Sequence, residues 1–179
     1  MASRGSLSTE ARLSTPFVVA ITASGTWVNR REKCFVGTSR PLFSVCTGAL
    51  LCGAAGGLVG RQVTTHRGAR HLMRYYGAVL VDARVAVDDN IISAAGVTAG
   101  LDAALVLVSL LRGDAAAQEI QLAIEYAPNP VFHSGTPESA PAEVLKSFQN
   151  KYEPIGAARE TEAIGYAART RTQAHTSQS

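Results

Sequence analysis

A chain of 179 residues that is 46% hydrophobic and 17% charged is long enough for one domain with a sizeable core and too apolar for a disordered polymer. No apolar run reaches the roughly 18 residues of a membrane-spanning helix, and Phe17–Thr22 is too short for the apolar part of a secretory leader, so no membrane partner is expected. The net charge of +3 hides an imbalance, +8 over residues 1–74 and −5 over residues 75–179, yet no basic helix with interleaved aromatics accompanies it, so no nucleic-acid partner is expected either.

In chain order, Met1–Thr26 is polar and small-residue-rich, with one apolar island, and is expected to be disordered. Trp27–Arg40 reads as the remnant of a helix. Pro41 introduces a short apolar run, Leu42–Val45, which reads as a buried strand and leads through Cys46, Thr47 and Gly48 into an Ala/Leu/Gly-rich run of helical type ending at Gly56-Gly57. Gln62–Thr65 reads as a short strand. Arg67–Tyr76 is amphipathic, with Leu72, Met73 and Tyr76 as its buried stripe and Gly77 placed as the residue that ends it. Val79–Val87 reads as one strand, Asp88-Asp89-Asn90 as a turn and Ile91–Ala94 as the returning strand of a hairpin. Val97–Leu111 is apolar nearly all round, as a helix buried on most sides would be. Gly113 stops it, and Asp114 is placed to cap a following helix that runs to about Tyr126 with Ala116, Ile120 and Ile124 on one face. His133–Pro141 reads as a loop. A last helix starts near Ala142, its pattern fades around Pro154, and 170–179 reads as a disordered tail.

A strand running straight into a helix with Cys46 at the junction is the layout of a nucleophile elbow. Small neighbours suit a tight turn, and the unpaired N–H groups of the helix start favour a thiolate. The alternative is a buried cysteine in an apolar helix start. Cys52, six residues on, cannot share a face with Cys46 and reads as packing; Cys34 has no assigned role. An odd number of cysteines without zinc spacing argues against a disulfide scaffold and makes a reducing, cytoplasmic setting the expectation. His71, His133 and His175 have no companions at ligand spacing, so neither metal nor cofactor is assigned.

Four spaced stretches carry a resemblance. They are Ser44-Val45-Cys46-Thr47-Gly48-Ala49-Leu50, Gly60-Arg61-Gln62-Val63-Thr64-Thr65-His66, Gly96-Val97-Thr98-Ala99-Gly100-Leu101-Asp102 and Gln121-Leu122-Ala123-Ile124-Glu125-Tyr126-Ala127-Pro128. Together they resemble the DJ-1/PfpI superfamily, in its isonitrile hydratase-like branch, over roughly Leu42 to Val144. The resemblance implies a flavodoxin-like three-layer α/β/α sandwich of the class I glutamine amidotransferase-like kind, N-terminally incomplete here and occupying residues 27–169. Segment 1–26 is left unmatched, and a truncated or mis-spliced N-terminus is the expectation.

The same resemblance implies Cys46 as nucleophile, with Thr47 beside it and Gly48 and His66 in support. PfpI-type proteases place His directly after the nucleophile, so Thr47 disfavours proteolysis. The Thr47 backbone N–H remains a plausible donor to an oxyanion; a Thr that merely caps the helix is the alternative. Relatives commonly carry Trp or Pro after the histidine, where this chain has Arg67. Asp102 reads as a carboxylate favoured by a helix N-terminus, with a catalytic role as the alternative, and Gly96 and Gly100 as close-approach positions near the elbow. The acid and the Gly-Gly loop that relatives carry before the elbow have no counterpart upstream of Cys46.

The implied activity is therefore cysteine-dependent hydration of an isocyanide-like small molecule, reduced or lost without that acid, by a homodimer. A non-catalytic or redox-responsive protein with an oxidisable Cys46 is the alternative. The ligand-binding half of a transcription regulator ranks last, because only about 35 residues follow the matching stretch, too few for an ordinary DNA-binding domain.

Overall fold

The computed structural model describes residues 18–22 and 41–176. Trp27–Arg40, with Cys34, lies outside the described residues. The architecture is α/β, a flavodoxin-like sandwich with helices on both faces of a sheet. Four strands lie in the order β1 (Val18–Thr22), β2 (Leu42–Cys46), β6 (Ile91–Ala94) and β5 (Val85–Asp88). The first three are parallel, and β5 runs antiparallel to β6.

Strand β2 is central because its sequence suits burial on both faces. Leu42, Phe43, Ser44 and Val45 are all buried, as expected for a parallel strand covered by helices. Alternation then sorts them. Leu42 and Ile91 face a core built with Ala49 and Cys52 of α1 (Gly48–Ala54), Leu72, Met73 and Tyr76 of the 3₁₀ helix Arg67–Tyr76, and Ala163 of α4 (Ala142–Thr176). Phe43, Val45, Ile92 and Ala94 face the other core, against Ala99 and Ala103 of α2 (Ala99–Arg112). The stripe expected for Arg67–Tyr76 is present. Leu72 and Met73 are fully buried, each worth roughly 1.5–3 kcal/mol of apolar transfer. Gly77 ends the helix at φ +69°, a left-handed conformation that favours glycine.

Several expectations are corrected. Val18–Thr22, inside the segment expected to be disordered, forms β1 in register with β2, from Val18 opposite Leu42 to Thr22 opposite Cys46. Its β-branched composition suits a strand, and β2 offers an edge to pair with. The expected strand Val79–Val87 is two strands. Val79–Leu80 (β4) pairs in parallel with Gln62–Val63 (β3) in a separate small sheet, and Val85–Asp88 turns back along β6 through Asp89-Asn90. The hairpin itself is as expected, with Asp89 left-handed at φ +54°.

Helix α2 is not buried on most sides. Ala99 and Ala103 alone of its residues are buried, because the sheet and α3 (Asp114–Ala123) cover only part of its apolar circumference. Helix α3 stops at Ala123; Gly113 rather than Asp114 stands at its cap, and Asp114 bonds the Ser109 hydroxyl from the first helical position. Ala117 is its buried residue, while Ile120 and Ile124 of the expected face are exposed.

Helix α4 continues through Pro154 to Thr176, so the expected tail is helical over most of its length. Its C-terminal half is held by docking rather than by propensity. Tyr166 packs on Tyr76 at 5.0 Å between ring centroids, and Glu160 takes hydrogen bonds from Arg74 and from the Tyr75 hydroxyl. No described helix is long and apolar enough to cross a membrane.

His66 starts the 3₁₀ helix. Its Nδ1 accepts the Gly68 N–H at 3.2 Å, which requires that nitrogen to be unprotonated. Partial burial, then the charges of Arg67 and Arg159, push the imidazole below its ordinary 6.5. A depressed folded-state value means that the unfolded chain takes up the proton first. The His66 contribution is thus complete above about 6.5 and is lost as pH falls through the folded value. Urea unfolding at pH 7.5 and at pH 5 is expected to show wild type losing stability relative to His66→Asn on acidification. A difference that stays constant across that range would contradict the cap.

Candidate functional site

Cys46 closes β2 at φ +58°, a left-handed conformation that a non-glycine residue adopts only under constraint. Thr47 follows as a buried turn residue, and Gly48 opens α1. The sequence therefore folds locally as strand, strained turn and helix. The turn is held from outside: the Thr65 hydroxyl donates to the Cys46 carbonyl at 2.7 Å. Across the sheet Gly100 of α2 comes so close to Val45 that a Cβ there would stand 3.0 Å from Val45 Cγ1. Gly100 is thus a close-approach position, as expected; Gly96 has nothing within 4 Å of such a Cβ and is not one.

The cysteines separate by environment. Cys46 is half-exposed. Cys52 is buried in the core beneath α1, and burial pushes its thiol up to about 11. Thr47 makes no side-chain cap hydrogen bond to α1, so the capping alternative does not account for it; its carbonyl accepts the Leu50 N–H at 3.0 Å. Helix α1 has seven residues.

His66 directly follows the threonine that bonds the elbow, and it lines a cleft of about 600 Å³ at the C-terminal end of β6. The elbow adjoins that end of the cleft: Ala95 and Gly96 line it, and the preceding Ala94 is the register partner of Val45. Cys46 itself is not among the lining residues. The structure thus brings His66 beside the elbow through Thr65, and it adds side chains that the sequence reading passed over. Arg67, Arg70 and Arg84 come from the near wall, the Ser134–Ala140 loop forms the facing lip, and Val144, Leu145 and Phe148 of α4 supply an apolar wall.

One available signal was the i, i+3 spacing of Arg67 and Arg70 on the polar side of an amphipathic helix. Arg84 gave none, because it sits where the expected strand breaks. Asp102 lies in the first turn of α2, as expected, but its carboxylate is also taken by Arg84 Nε at 2.6 Å and by the Tyr126 hydroxyl at 2.6 Å. That phenol is consequently held above its ordinary range, mainly by the bond to Asp102. Tyr126 therefore ties the segment after α3 to α2. Among the described residues no group of three or more His, Cys, Asp or Glu side chains could hold a metal ion.

Residues 26–110 match the DJ-1/PfpI family. An isonitrile hydratase of Pseudomonas putida is 44% identical over 116 residues, covering 65% of this chain and 51% of that protein. The chain thus spans about half the length of that relative. The crystal structure of a THiJ/PfpI family protein from Pseudomonas syringae superposes with a TM-score of 0.67 at 39% identity, over 69% of this chain and 51% of that one. Over residues 26–110 in sequence, and over the superposed part of the fold, the chain resembles the DJ-1/PfpI family and is similar to an isonitrile hydratase.

Proposed function

We propose that the chain hydrates isocyanides through Cys46, giving N-substituted formamides. The observation that carries this reading is the left-handed turn at Cys46 between a buried strand and a helix start, alongside the identity to an isonitrile hydratase. The Cys46 sulfur adds to the terminal carbon of the isocyanide and the carbon takes a proton, leaving a thioimidate. Water then adds to that carbon, the C–S bond breaks, the thiol is restored, and the nitrogen keeps the second proton as the formamide N–H. Backbone N–H groups of Thr47 and Gly48, at the start of α1, are the candidate donors to the oxygen that water brings. The proton that the carbon takes is the thiol's own, and His66 is the candidate supporting hydrogen-bond donor: with Nδ1 accepting from Gly68, its N–H sits on Nε2.

Turnover is expected to be slow. Among the described residues no carboxylate bonds the Cys46 thiol or His66. The supported outcome is formamide from an alkyl isocyanide that disappears in Cys46→Ser; no product above that variant's background would sink the reading.

A second reading, oxidation of Cys46 in a redox-responsive role, is favoured by the contrast between a half-exposed Cys46 and a buried Cys52 pushed up to about 11. Mild peroxide followed by mass spectrometry is expected to add oxygen to Cys46 before Cys52, and equal rates would remove this reading. We also infer a homodimer, supported by the apolar side chains that α2, α3 and the following turn leave exposed, among them Leu101, Ile120, Leu122 and Ile124. Light scattering at micromolar concentration is expected to give twice the chain mass, and a clean monomer would contradict it.

A further inference from the structure

The cleft beside the elbow is built like a binding site for an amphipathic molecule, and its charges are unequal in availability. Arg70 is neutralised by Asp82, Nη1 to Oδ1 at 2.7 Å. Arg84 is neutralised by Asp102 and also bonds the Thr98 hydroxyl at 3.3 Å. Arg67 differs. No acid among the described residues lies within ion-pair distance of it, and its Nη2 donates to the Gly135 carbonyl at 2.9 Å, across the cleft. That single bond pins the guanidinium between the two lips and leaves most of its five N–H donors uncommitted. The acid on the facing lip, Glu138, is engaged first by its own backbone N–H and by the Thr136 side chain, and feels Arg67 only as a weaker, longer-range charge.

The opposite wall is apolar. Val144 and Phe148 of α4 are 48% and 37% exposed, although both line the cleft. They stand four residues apart on one face of the helix, with Leu145 beside them. A cavity of about 600 Å³ lies within the range that takes a small organic ligand. A pinned guanidinium at one wall and an aromatic-aliphatic face at the other fit a planar anionic head on an apolar body.

We propose that this cleft binds a carboxylate-bearing apolar molecule, with Arg67 holding the carboxylate and Val144, Leu145 and Phe148 covering the body. A carboxylate is favoured over a larger oxyanion because one free guanidinium fork matches two coplanar oxygens. His66 lines the same cleft, next to the residue that bonds the elbow. Resting on the hydration reading for its reactive end, the proposal then specifies the substrate class as an isocyanide that carries a carboxylate. Arg67 becomes the residue that sets this preference.

The test separates binding from reaction. Isothermal titration of the full chain with 4-phenylbutyrate and with the neutral 4-phenylbutan-1-ol is expected to show the carboxylate binding roughly tenfold tighter or more, the scale of one charge-assisted contact. Arg67→Gln, which keeps an N–H for Gly135 but removes the charge, is expected to erase that preference while leaving alcohol binding unchanged. Arg67→Lys should restore part of it. Arg112→Ala, which loses the same charge at the far end of α2, should leave it intact. Equal binding of the two probes, or a preference that survives in Arg67→Gln, would overturn the proposal. A chain that prefers 4-phenylbutyrate through Arg67 but makes no formamide from any isocyanide would uphold the subsite and remove the hydration reading. Formamide made with the same KM from an isocyano carboxylate and from its methyl ester would uphold hydration and remove the subsite.

Discussion

The structure turns on one backbone conformation. Cys46 sits at φ +58° at the end of β2, where an L-residue other than glycine costs of order 1–3 kcal/mol. Such a turn persists only where its surroundings over-determine it. Here β2 is paired in parallel on both sides, by β1 and by β6, and its side chains feed two separate cores. The Leu42 N–H is anchored to the Asn90 carbonyl at 2.8 Å, so the strand is fixed at its start as well. At its end the Thr65 hydroxyl holds the Cys46 carbonyl, and the absence of a side chain at Gly100 lets α2 close over Val45. The strain is therefore held by a strand that is buried and paired on both sides.

Three consecutive residues connect this turn to the cleft. Thr65 bonds the elbow, His66 caps the 3₁₀ helix and lines the cleft, and Arg67 reaches across to Gly135. A shift of this short segment would move all three contacts together, because the 3₁₀ helix that follows is locked by fully buried Leu72 and Met73. The same segment carries a polar layer under the sheet. The Thr64 N–H donates to the Ser93 hydroxyl at 3.0 Å, and Ser93 is the register partner of Ser44, two residues before the cysteine. Buried hydroxyls in the centre of a sheet cost desolvation unless bonded, and this bond fixes how the Thr64–Arg67 segment sits on β6.

What could be read from the sequence was local. The apolar run Leu42–Val45, the small residues after Cys46, the stripe in Arg67–Tyr76 and the turn Asp89-Asn90 each follow from short-range pattern, and each stands in the structure. What could not be read depended on partners distant in sequence. Val18–Thr22 is a strand because β2 lies beside it. Helix α2 looks like a core helix by composition, yet its burial depends on how much of it the rest of the fold covers, and only Ala99 and Ala103 are enclosed. Pro154 reads as an end to the last helix, but Tyr166 and Glu160 dock the residues beyond it onto the 3₁₀ helix. Arg67 was visible as a cation on the polar side of an amphipathic segment, but its position across the cleft from Gly135 depended on a loop 68 residues away.

The break between β4 and β5 lines one wall of the cleft. Had Val79–Val87 run straight along β6, its polar members would have lain in a ladder. Instead the chain leaves β4 after Leu80 and re-enters the main sheet at Val85, and the residues between are each tied down separately. Asp82 is held by Arg70, the Ala83 carbonyl by the Thr64 hydroxyl at 2.8 Å, and Arg84 by Asp102. Asp82, Ala83 and Arg84 are the cleft-lining residues of that wall. Alternation within Val79–Val87 says nothing about such a break, because the break is set by two different sheets competing for one segment. Local pattern and global fold disagree most where a protein has given up regular pairing, and that is where a site is expected. The bend places Asp82, paired with Arg70, and Arg84, paired with Asp102, along the cleft, and of the three arginines that line it Arg67 is the one without an acid partner among the described residues.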